Sequence, residues 1–167
     1  MKISALFFCL FLLAGCGYKP ASHYAKNALD DSVFVDIMIS RSDPQSGAVL
    51  IDALNTAIVS RFGKSLAPRD EAKTTIVITR GNYTISSLQR DQDGFTILYR
   101  CRVSMNVIVN SSKLKDKKFS INGNHDFATE PSSILSDTAR NAAARESAMK
   151  ALDMLLANIV LLGDNVD

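Results

Sequence analysis

Phe95-Thr-Ile-Leu-Tyr-Arg-Cys-Arg-Val-Ser-Met-Asn-Val-Ile-Val-Asn110 is the longest strand signal in the chain. Phe95, Ile97, Tyr99, Cys101, Val103, Met105, Val107 and Val109 occupy alternate positions, and Thr96, Arg100, Arg102, Ser104, Asn106 and Asn110 fall between them. Strict period two means one face toward a core and one toward water. Working back, Asp91-Gln-Asp-Gly94 is a turn, and Thr74 to Ile85 is β-branched and reads as the strand before it. Its alternation slips near Gly81, which predicts a bulge there. Working forward, Ser111 to Lys118 carries four lysines and reads as a solvated hairpin loop. Phe119, Ile121, His125 and Phe127 then share one face of a further strand, broken at Glu130-Pro-Ser-Ser133.

Outside this meander lie two helices and one more strand. Val33, Val35, Ile37 and Ile39 alternate with Phe34, Asp36, Met38 and Ser40. Asp43-Pro44 is a helix start, Ile51, Leu54, Ile58 and Phe62 recur at helical spacing, and Gly63 is placed to stop the helix. From Ser136 to Leu162 the period is helical again, with Ala148, Leu152, Leu155, Ile159 and Leu162 as the buried stripe. The order is β-α-β-β-β-α. It predicts an α/β two-layer sandwich: a four-stranded mixed sheet with both helices on one face.

The first residues predict a compartment. Lys2 precedes an apolar run from Ile3 to Leu13, about 16 Å of helix and too short to span a bilayer core of about 30 Å. Leu13-Ala-Gly-Cys16 follows, small residues and then a thiol that can carry thioether-linked lipid. Residues 1–15 are therefore expected to be a lipoprotein signal peptide, with Cys16 the lipidated residue. Residues 16–31 would be a lipidated tether or an extended segment lying on the domain, 32–163 a single domain and 164–167 a tail. Gly17, not Asp, after the cysteine favours the outer membrane by analogy with bacterial sorting. Cys9 leaves with the signal, so Cys101 is alone and is expected in the core.

Composition narrows the function further. The 167 residues are 47% apolar and 22% charged, with net charge +2. A near-neutral chain has no electrostatic footprint for nucleic acid. No metal, nucleotide or hydrolase motif occurs, and no cofactor is called for. In the turn, Gly94 as position six of a calcium loop would put Gln89 and Arg100 where carboxylates are needed. Ser136 and Asp137 are explained by a helix cap. The chain is expected not to be an enzyme.

Two features ask for a partner. If helices cover Val33, Val35 and Ile37, then Phe34, Met38, Leu98, Arg100 and Arg102 lie on the other sheet face, with Ile108, as a mixed apolar and basic docking surface. Cationic groups also stand at loop tips: Arg90 beside the Asp91 turn, and Lys113, Lys115, Lys117 and Lys118 in the later loop.

The run Gly15-Cys-Gly-Tyr-Lys-Pro20 resembles the mature start of lipopolysaccharide-assembly lipoproteins of the LptE type. Val33-Phe34-Val35, the helix ending Ser60-Arg61-Phe62, the turn-to-strand segment Gly94 to Arg100 and the Ala-rich last helix match that family at suitable spacings. The resemblance implies a non-enzymatic subunit held at the outer membrane by its lipid. It would plug and help fold the large β-barrel that inserts lipopolysaccharide. It also implies contact with lipopolysaccharide through basic loop residues, here Arg90. Thr129 to Leu135 contains Glu130 and no Lys or Arg, a departure from the family pattern. The alternative is a lipoprotein activator of a periplasmic cell-wall synthase. A tether of about fifteen residues, at most about 50 Å, is short for that role.

Overall fold

A computed structural model describes residues 29–38, 44–130 and 134–163. Strand β1 is Ser32–Ile37, helix α1 Pro44–Ser60, β2 Ser65–Leu66, β3 Thr74–Arg90, β4 Thr96–Asn110, β5 Lys117–Ala128 and helix α2 Asp137–Gly163. The sheet runs β2-β1-β3-β4-β5. β1 lies parallel to both β2 and β3, and β3, β4 and β5 form an antiparallel meander. The expected β-α-β-β-β-α sandwich is present, with a correction from four strands to five. β2 is two residues long, too short to leave a periodic signal. It forms because Gly63, at φ 63°, turns the chain after α1 and brings Ser65 alongside Ser32.

Both helices pack on one face. α1 buries Leu50, Ala53, Leu54, Ala57 and Ile58, with Phe62 just beyond its end. α2 buries Ala144, Ala148, Ala151, Leu152, Leu155 and Ile159. They meet Val33, Ile76, Ile78, Val103, Met105, Val107, Val109 and Ile121 from the sheet. Arg145 joins the helices, pairing with Asp52 at 2.6 Å and donating to Thr56 Oγ1 at 3.1 Å. Ser136 is the N-cap of α2: its Oγ accepts from the Ala139 N–H at 3.2 Å. The Asp43 start of α1 and the Ile39-Ser40 end of β1 lie outside the described residues.

Two details of the β3–β4 hairpin correct the sequence reading. The bulge falls at Thr79, between the Ile78–Val107 and Arg80–Asn106 pairs, not at Gly81. It switches the inward positions from Ile76 and Ile78 to Gly81, Tyr83 and Ile85. Gly81 then faces α1, where a Cβ would stand 2.5 Å from Leu50 Cδ1. β3 also continues to Arg90, five residues past Ile85. The hairpin is therefore about 50 Å long, and none of the side chains in its last third is fully buried. Phe95 precedes β4 and is 48% exposed, and Ile97 and Tyr99 are half-buried. The domain also starts before residue 32. Leu29 is buried, and Asp30 bonds to Thr74 and Ser112.

Candidate docking surfaces

The sheet face away from the helices is open and mostly polar, because the alternate residues of β4 and β5 are polar. The β4–β5 register, centred on residue 113, sets Arg100 opposite Asp126 and Arg102 opposite Asn124. Arg100 Nε and Nη2 donate to the two carboxylate oxygens of Asp126, both at 2.7 Å. This two-pronged bond holds the Asp126 carboxyl below its ordinary pKa and raises that of Arg100. Arg102 Nε donates to Asn124 Oδ1 at 3.1 Å. Ser104–Asn122 and Asn106–Ser120 continue the ladder, which ends at Ile108 opposite Lys118.

The five residues expected to form one surface share this side of the sheet but divide into two groups. Leu98, Arg100 and Arg102 are successive outward positions on β4. Phe34 stands opposite Thr75, and Thr75 opposite Asn110, so Phe34 belongs to the other end of the sheet. Arg102 and Asn110 are about 27 Å apart along β4. Met38 is 64% exposed just past β1, its N–H bonded to Ile78 O. Phe34 is half-buried beneath Arg69, whose guanidinium lies 5.2 Å from the ring centroid and pairs with Asp36 at 3.3 Å. Asp126 and Arg69 were missed in the sequence. Counting outward from the Ser111–Lys118 loop locates Asp126, whereas Arg69 lies in a segment with no period to read.

The cationic loop tips occupy opposite ends of the molecule. Arg90 ends β3 at the hairpin tip, where its guanidinium reaches Gly94 O at 3.5 Å. The turn beside it is a turn and no ion site: Asp91 Oδ1 accepts the Asp93 and Phe95 N–H groups, and Gly94 takes φ 87°. Lys113, Lys115, Lys117 and Lys118 are exposed at the other end, where β4 turns into β5. Leu114 is buried in that loop, so it is partly core.

The expected core residues take structural roles. Cys101 is buried, and burial pushes its thiol pKa up, which disfavours the nucleophilic thiolate. The nearby Ser147 Oγ donates to the Cys101 and Ala143 carbonyls. His125 is half-buried on the helix side and stacks on Phe127, which stacks on Tyr99. Among the described residues no group of His, Cys, Asp and Glu could hold a metal ion.

Among curated proteins no sequence match was found. Solved structures show the same fold. Rare lipoprotein B from Shewanella oneidensis aligns with TM-score 0.51 and 14% identity, over 80% of this chain and 97% of that one. A lipoprotein from Caulobacter crescentus CB15 aligns with TM-score 0.52 and 10% identity, over 88% and 97%. The sequence itself matches the family LptE, Lipopolysaccharide-assembly, over residues 31–159, which takes in every strand and most of α2. The chain therefore belongs to the LptE family of lipopolysaccharide-assembly lipoproteins.

Proposed function

We propose that this protein is the plug and assembly subunit of the outer-membrane β-barrel that inserts lipopolysaccharide. The observation that carries the reading is the open sheet face. It is polar along almost its whole length, with Arg100 paired to Asp126 and Arg102 bonded to the Asn124 amide. The lumen of a large barrel is polar and wet. A surface of this kind can stay hydrated or find polar partners in such a lumen, while Leu98 and Ile108 provide small apolar contacts. The helix-covered face supplies the core, so the open face is free to dock. Catalysis has no part in this reading, because it calls only for binding and templating.

The domain hangs from the outer membrane by acyl chains on Cys16, with the signal peptide of residues 1–15 removed. The hairpin tip, with Arg90, lies at the far end of the sheet from the tether. Entry of that tip into the barrel would bring Arg90 to the lipopolysaccharide path. The test is a mild-detergent pull-down of the lipidated protein from its own outer membrane, followed by mass spectrometry. A single large β-barrel at about one copy per lipoprotein is expected, by the family's mode of assembly. Recovery of the lipoprotein alone, or with a cell-wall synthase, overturns the reading.

A further inference from the structure

The sheet ends in β5, and this strand carries a bare edge. The twelve residues of β5 pair with β4 in one unbroken register. Just past them the Thr129 N–H donates to Ile97 O at 3.1 Å, directly opposite in the same register. Bonding and non-bonding positions alternate along an antiparallel ladder. Ile121, Gly123, His125 and Phe127 therefore bond to β4. Lys118, Ser120, Asn122 and Asn124 turn their N–H and C=O groups outward. Among the described residues nothing bonds to those outward groups.

The other edges of the sheet are closed or broken. β2 covers the start of β1, and the Asp36 carboxylate, itself paired with Arg69, accepts the Ile37 N–H at 2.8 Å. β3 runs on past β1, and its register shifts at Thr79 and again at Leu88. Short strands, charges and bulges are how proteins keep edges from pairing. β5 has no register shift and no proline, and its lysines stand only at its first two positions.

The helix above β5 decides what can pair there. α2 crosses directly over Gly123, where a Cβ would stand 2.6 Å from Ala151 N. Two β5 strands paired about Gly123 would lie about 4.8 Å apart. The α2 helices above them would need about 8–10 Å. A second copy of this chain is therefore excluded by that pairing, and the edge fits a strand with no helix over it. Such a strand meets the outer flank of α2. Lys150 stands on this flank, close enough for its charge to act on Asp126 of β5, while Asp153 on the other flank pairs with Arg61 beyond α1. Met154, 41% exposed, lies one turn beyond Lys150 on the same flank.

We infer that the β5 edge from Lys118 to Asn124 accepts an extended segment of the barrel as a sixth strand of the sheet. The inference rests on the barrel reading for the owner of that segment. The edge borders the open face, where Asn122 and Asn124 stand opposite Ser104 and Arg102, so a barrel that takes up the face meets the edge as well. Strands closed into a barrel have no free edge. The segment is thus a loop or terminal extension that reaches into the lumen. Its main chain bonds to the outward groups of β5. Its side chains alternate, with apolar ones toward Met154, polar ones beside Ser120 and Asn122, and a carboxylate beside Lys118.

The test removes outward N–H groups without touching the ladder. Proline is tolerated on an edge strand where its nitrogen faces away from the sheet. Ser120→Pro and Asn122→Pro each delete one outward donor, and Asn122→Thr changes the same side chain but keeps the donor. The mild-detergent pull-down of each lipidated protein from its own outer membrane gives the barrel recovered per lipoprotein. Recovery should fall about tenfold or more for the proline variants and hold for Asn122→Thr. Their Tm should stay within about 3 °C of the parent. Hydrogen exchange read residue by residue on the parent should show the Lys118, Ser120, Asn122 and Asn124 amides fast in the isolated protein and slowed about a hundredfold or more in the complex. Equal recovery by parent and folded proline variants, or fast exchange of those amides in the complex, overturns the inference and leaves the barrel reading standing. Should the proline variants unfold, the exchange measurement decides alone. A parent that brings down no barrel overturns the barrel reading and the inference with it.

Discussion

Replacing Gly123 by alanine should lift α2 off the sheet. Gly123 is buried in β5, directly under the middle of α2. A Cβ there would stand 2.0 Å from the Ser147 carbonyl oxygen, 2.6 Å from Ala151 N and 3.2 Å from Lys150 C. All three are backbone atoms, so no rotamer change relieves the overlap. Ordinary contact begins near 3.4 Å, and the helix would have to rise by more than about 1 Å. A gap of about 0.5–1 Å already forfeits a quarter to a half of each dispersion contact, and Ala144, Ala148, Ala151 and Leu152 would all feel it. The Ser147 bond to Cys101 O, 3.1 Å long, would stretch as well. Overpacking costs about 1–3 kcal/mol, occasionally more, and this case is at the upper end. Alanine regains about 0.5–1 kcal/mol by restricting the unfolded chain. The net is a loss of about 2–3 kcal/mol, or roughly 10 °C in Tm. Thermal unfolding by circular dichroism measures it. Gly81→Ala is the internal comparison, because its first contact is Leu50 Cδ1, the end of a flexible side chain. A Gly123→Ala Tm within about 2 °C of the parent, or a larger loss at Gly81, refutes the packing argument.

Four further outcomes follow from the same geometry. Ser147→Ala should cost about 1–2 kcal/mol in urea unfolding, since it removes a buried donor to two carbonyls. Arg100→Ala should leave Tm nearly unchanged, because the Asp126 pair is well exposed, yet lower barrel recovery in the pull-down if the open face docks. Leu88→Ser with Phe95→Ser should likewise spare Tm, both side chains being more than 40% exposed, while reducing barrel recovery. Asp30 and Asp126 both have folded pKa values below the ordinary 3.8. Their contribution to stability is therefore complete above that value and is lost as pH falls through the lower folded values. Chemical denaturation from pH 7 down to 2.5 should show that acid limb, and Asp30→Asn with Asp126→Asn should flatten it.

What the sequence made legible follows from period. β4 has fifteen residues of almost unbroken alternation, so its two faces were readable, and Cys101 to Val109 are buried at every second position. The helices carried stripes and end signals, and Ser136 and Gly63 act as those signals implied. Period says which face a residue takes, but not how far along the sheet it sits. Phe34 and Arg100 were both read as outward, and both are, but only the β1–β3 and β3–β4 registers put them at different ends. The bulge at Thr79 shows the same limit. The phase change was visible between Ile78 and Tyr83, but any residue in that interval could have absorbed it. Arg69 over Phe34 is a contact across 35 positions of sequence, with no local pattern to announce it.

The unequal lengths of the two layers tie the fold to its use. α2 has 27 residues and spans about 40 Å. The β3–β4 hairpin spans about 50 Å and begins nearer the tether. The helical layer therefore runs out near Cys101 and Ile85, where a small second cluster with Ala143 and Ala144 closes the core. Beyond it Ile97 and Tyr99 are only half-covered, and Leu88 and Phe95 are exposed. Apolar side chains at a strand tip add little to the stability of the isolated domain. A contact that buried them would recover about 25 cal/mol for each Å² removed from water. The covered end carries the core and the bare end carries the exposed apolar groups, so a partner docking on this domain, as the proposed barrel would, gains most apolar burial where the helices stop.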